Sequence, residues 1–103
     1  MGYELKITKL AEDDLDGIVS YIVNQLYNPQ AASDLADEIA RCYEVLRTSP
    51  LIYPLCQDRR LEREGYHRAI VKNFLVLFRV DEAEKRVTVY RVIYGARDYM
   101  KLL

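Results

Sequence analysis

The spacing of apolar residues changes period once along this chain. In the first half they recur every three or four positions: Leu15, Ile18, Ile22 and Leu26, then Ala32, Leu35, Ala36, Ile39, Tyr43 and Leu46. From Tyr66 onward they alternate with polar residues or fill short runs, as in "FLVLFRV" and "RVTVYRVIY". The first spacing lays an apolar stripe along a helix, and a spacing of two lays an apolar face on a strand. A chain patterned this way can bury both kinds of surface by laying helices on a sheet.

Local signals place the boundaries. Tyr3, Leu5 and Ile7 alternate with Glu4, Lys6 and Thr8, which predicts a short strand before the first helix. Thr8 can cap that helix, and Glu12, Asp13 and Asp14 suit the positive end of its dipole. The helix is expected over roughly residues 9–27. Asn28-Pro29 supplies an N-cap and a first-turn proline for a second helix, which Ser49-Pro50 ends. Residues 49–64 read as a long connection, either a functional segment or a short helical turn. Arg59, Arg60 and Arg63 lie there beside Glu62 and Glu64, a mixture that suits a solvated turn. Strands follow at Tyr66–Val71, Phe74–Val80 and Arg86–Tyr94, the middle one apolar on both faces and so central. Lys72-Asn73 is read as a tight turn, with Asn73 taking the positive φ. Arg79 is expected on the face of Leu75 and Leu77, and Arg91 on that of Val89 and Ile93. Gly95 ends the last strand, and Ala96–Leu103 is a short tail. The order β-α-α-β-β-β predicts one α+β domain over residues 1–103. It is a two-layer sandwich, with a helical hairpin on an antiparallel-rich sheet and the first strand at or near an edge beside a later one.

Composition narrows the classes. No apolar run is long enough to span a bilayer, and no leader pattern opens the chain, so a cytoplasmic location without membrane contact is expected. Cys42 and Cys56 are not spaced as a metal pair, and His67 is the only histidine, so neither metal nor cofactor is expected. Both thiols are expected free and at least half-buried. The net charge of −1 hides an asymmetry. Residues 1–58 carry four Lys/Arg against ten Asp/Glu, whereas residues 59–103 carry eleven against six. A basic half can face phosphate while an acidic half faces water or a basic partner.

The element order resembles the RelE/ParE superfamily, toxins of bacterial type II toxin–antitoxin modules often called plasmid stabilisation proteins. So do "AEDDLDGIVSYI" on the first helix, "NPQAA" opening the second and "VKNFLVLFRVDEAEKRVTVYRVIYGARDY" at the end. The resemblance implies a growth-arresting toxin neutralised by a cognate antitoxin that wraps it. It leaves the target open. RelE-like members cut mRNA in the ribosomal A site, ParE-like members poison DNA gyrase, and a degenerate member would bind only its antitoxin.

Metal-free RNA cleavage needs a base for the 2′-OH, an acid for the leaving oxygen and a cation for the phosphate charge. Arg97 in "VIYGARD" resembles a functional arginine of RelE, and Tyr99 and His67 are the candidate proton-transfer partners. Arg68, Lys72, Arg79, Arg91 and Tyr94 are the candidate substrate-binding residues, offering cations and a stacking ring. Two RelE positions have no counterpart: Leu75 stands where an arginine is expected and Leu103 where a tyrosine is. The asymmetry of charge and Arg97 favour ribosome-dependent mRNA cleavage, with gyrase inhibition as the alternative.

Overall fold

The computed structural model describes residues 2–95. Strand β1 (Glu4–Ile7) leads into α1 (Lys9–Asn24) and α2 (Pro29–Thr48). A 3₁₀ turn (Pro50–Ile52) and the short α3 (Arg59–Arg63) precede β2 (Tyr66–Val71), β3 (Phe74–Asp81) and β4 (Arg86–Tyr94). The connection read as a loop or a helical turn is therefore both.

The caps fall on the anticipated residues. Thr8 accepts a hydrogen bond from the Ala11 N–H at 3.1 Å, and Asn28 accepts one from Ala31 at 3.0 Å with Pro29 in the first turn. The first helix stops sooner than its stripe suggests. Gln25 is already the C-cap, and Tyr27 takes a left-handed φ of 52° between the helices.

The four strands are ordered β1-β4-β3-β2. β1 is the expected edge strand, parallel to β4 with Glu4 opposite Arg86; the other pairings are antiparallel. Two residues join β2 to β3, and the positive φ falls on Lys72 (54°) rather than on Asn73. β2 is itself half-covered, since Cys56 N–H donates to the Tyr66 carbonyl and Arg68 N–H to the Pro54 carbonyl.

The sheet buries side chains on both faces. On the helix side Leu35, Ile39 and Leu46 of α2 pack on Val76, Phe78, Val87 and Val89. On the reverse side Leu61 of α3 and Cys56 close over Leu75, Leu77 and Ile93. This small lid accounts for the two-sided apolarity of β3. Both cysteines are free and buried, as anticipated.

One irregularity sets the arrangement of the reverse face. Leu77 pairs with Arg91 but Phe78 pairs with Val89, so Tyr90 is an extra residue in β4. Such a bulge shifts the alternation of its strand. Val89 packs on the helix side and Ile93 on the reverse side, so Arg91 cannot share a face with both, contrary to the reading from strict alternation.

Candidate functional site: an aromatic and cationic face

Three strands meet on the reverse face beyond the α3 lid. β2 contributes Tyr66 and Arg68, β3 contributes Arg79, and the bulge in β4 contributes Tyr90. The Arg79 guanidinium carbon lies 5.4 Å from the centroid of the Tyr66 ring. Tyr90 meets that ring edge-on, with centroids 5.4 Å apart and planes at 72°. A guanidinium over a phenol face is attracted by the ring quadrupole, and the edge-on contact is favourable for the same reason. The three side chains therefore hold one another in place.

Charge at this face is only partly answered within the chain. Among the described residues Arg79 and Arg68 form no ion pair, and Arg68 Nε is buried without a hydrogen-bond partner. Burial pushes the Tyr66 phenol above its usual range, with Tyr90 and Glu64 adding to the rise and Arg79 and Arg60 opposing it. Tyr66 is thus a proton donor at neutral pH and not a base. Burial also raises the Cys56 thiol, against a smaller opposing effect of the nearby Arg68.

The other anticipated residues are distributed elsewhere. His67 lies on the helix side, with Nδ1 2.9 Å from the Tyr53 carbonyl oxygen and its ring stacked on Phe78 at 5.3 Å. Arg91 is held by Asp14: Nε donates to Oδ2 at 2.7 Å and a terminal nitrogen to Oδ1 at 3.0 Å. Lys72 and Tyr94 line a separate apolar groove of about 820 Å³ between α1, the α1–α2 turn and the ends of β3 and β4. Arg97 and Tyr99 lie outside the described residues, as does Leu103. Leu75, by contrast, is buried beneath the lid and reaches no surface.

Tyr66 and Tyr90 were not singled out as site residues by sequence reasoning. The signal was present in "VTVYRVIY": Val92 and Ile93 are adjacent and both apolar, which breaks the alternation of Val87 and Val89 and marks a bulge. No group of three or more metal-ligating side chains occurs among the described residues, and no helix there is long and apolar enough to cross a membrane.

Comparison with known proteins places this architecture. A family model described as the ParE toxin of the type II toxin–antitoxin system parDE matches residues 5–99. The chain belongs to that family, within the RelE/ParE superfamily, and its role is that of a toxin. Among solved structures it is similar to the chromosomal ParDE system of P. aeruginosa, at 22% identity and a TM-score of 0.69, over 89% of this chain and 95% of that one. It is also similar to the archaeal RelE–RelB complex of Pyrococcus horikoshii, at 15% identity and a TM-score of 0.65, over 94% and 99%. The RelBE2 toxin–antitoxin complex of Mycobacterium tuberculosis matches at 20% identity and a TM-score of 0.52, over 91% and 99%. At these identities the likeness is one of fold. A comparison with curated proteins finds no match.

Proposed function

We propose that this toxin arrests growth by binding DNA gyrase, without cutting mRNA. The observation that carries this reading is the position of His67. The only imidazole in the chain is turned to the helix side, bonded to a backbone carbonyl and stacked on Phe78, away from the exposed Arg79. A phosphate-cleaving centre needs a base within hydrogen-bond reach of the reacting hydroxyl. On the reverse face Tyr66 stays protonated, and Arg91 has its charge answered by Asp14. The match to the ParE model supports the same choice.

A cognate antitoxin is the partner that neutralises the toxin. The groove lined by Ile18, Ile22, Leu26, Phe74 and Val92 suits the apolar face of such a partner, with Asp13 and Lys72 beside it to fix its register.

Ribosome-dependent mRNA cleavage is the second reading, favoured by the basic second half and by Arg68 and Arg79, which form no ion pair among the described residues. Two assays separate them. In a supercoiling reaction the purified chain is expected to inhibit gyrase, and in a reconstituted translation reaction it is expected to leave mRNA intact. Ribosome-dependent cuts with normal supercoiling would reverse the assignment. In that case Arg97→Ala should slow cleavage roughly 10²–10³-fold if it stabilises the transition state.

A further inference from the structure

We infer that the reverse face of the sheet, centred on Arg79 and Tyr90, is the surface that grips gyrase, and that it takes an acidic, apolar-flanked segment of the gyrase protein. This inference rests on the gyrase reading.

Its composition is that of an interface centre. Tyrosine and arginine dominate the residues that carry binding energy in protein complexes, provided they sit rigidly in a partly desolvated setting. Here Arg79 is positioned over Tyr66, Tyr66 is fixed by Tyr90, and Tyr66 packs on a floor of Leu75, Leu77 and Ile93. Little ordering remains to be done on binding, which favours affinity. Ile70 follows Arg68 on the same side of β2 and is 66% exposed, an apolar rim beside the cationic centre.

Charge complementarity selects an anionic partner, since neither Arg79 nor Arg68 is paired with a carboxylate among the described residues. Two features select protein over nucleic acid. A phosphate backbone is tracked by a row of cations, whereas among the described residues Arg60 and Arg91 have their charge answered by Glu64 and Asp14, which leaves Arg79 and Arg68 to meet a partner. Stacking of a base needs an open ring, and Tyr66 is occupied by Arg79 and by the edge of Tyr90.

The test is the affinity of immobilised, DNA-free gyrase for the full-length chain and its variants, each checked for folding by circular dichroism. Arg79→Ala should weaken binding at least about tenfold, the scale of an interface anchor, and Arg79→Glu should weaken it further. Tyr90→Ala should act in the same direction. Lys6→Ala, an exposed cation on β1, should leave affinity unchanged. Wild-type binding that persists undiminished in Arg79→Ala and Arg79→Glu would overturn the surface assignment while leaving gyrase as the target. Binding that appears only when DNA is added would show a nucleic-acid occupant and overturn the assignment of a protein one. A wild-type chain that neither binds nor inhibits gyrase would remove the target itself, and this inference with it.

Discussion

Tyr27 holds a backbone conformation poorly suited to its side chain. It holds φ at 52° while 84% exposed, so its ring gains little packing to offset the crowding of Cβ against the backbone. Tyr27→Gly should therefore raise stability by up to about 1 kcal/mol, a shift of several degrees in melting temperature for a domain this small. Glycine at the same kind of position already occurs after α3, where Gly65 holds φ at 83°. The cysteines lead to a second expectation. Burial raises both the Cys42 and Cys56 thiols, so neither supplies much thiolate near neutral pH. A thiol-titrating reagent should find both unreactive in the native chain and both reactive in denaturant. That the thiols are buried was legible in the sequence. The left-handed Tyr27 was not, because the apolar stripe runs on through Leu26 and nothing in its spacing shows that the backbone has already turned.

Among the elements, the α1–β4 junction takes over where β1 ends. Beyond Val89, no strand among the described residues flanks β4 on that side, and α1 and its cap supply the partners: Thr8 Oγ1 donates to the Tyr90 carbonyl, and Val92 N–H donates to Asp14 at 3.0 Å. Asp14 accepts from Arg91 as well, and the two side chains are only 14% and 11% exposed. Asp14→Ala leaves a largely buried guanidinium and a backbone N–H without their acceptor, and it should destabilise the chain by about 3 kcal/mol in urea unfolding. Asp14→Asn keeps an acceptor for Val92 and should lose less. The strands, helices and caps could be read from sequence because each rests on a local period or a local hydrogen bond. The broken alternation at Val92-Ile93 marks a bulge but not its place, since the register is fixed by pairing with β3 and by α1. With it went the placement of Arg91, which sequence reasoning offered as a substrate contact and which the fold uses as an anchor for α1.

For the molecule as a whole, the core sets an alkaline limit. Burial pushes both Tyr43 and Tyr53 up to about 12 from an ordinary 10.0. Both phenols are favoured neutral in the folded chain, so the unfolded chain releases its protons first as pH rises. Stability from these groups is fully present below pH 10 and is lost between 10 and 12. Urea midpoints measured across that window should fall, and a Tyr43→Phe, Tyr53→Phe double variant should flatten the decline. The order of the elements, and so the fold class, could be read from one change of apolar period. The candidate site could be read only in part, because it is assembled from three strands whose neighbours are far apart in the chain. The pairing of the first strand with the last carries a consequence for timing. Glu4 and Arg86 are 82 positions apart, so during synthesis β1 leaves the ribosome long before β4, its strand partner, exists. The sheet cannot close, and its reverse face cannot assemble, until the β4 segment has emerged. The groove against α1 waits for the same event, since Phe74 of β3 and Val92 of β4 form part of its wall, so both surfaces of the sheet come into being together at the end of synthesis.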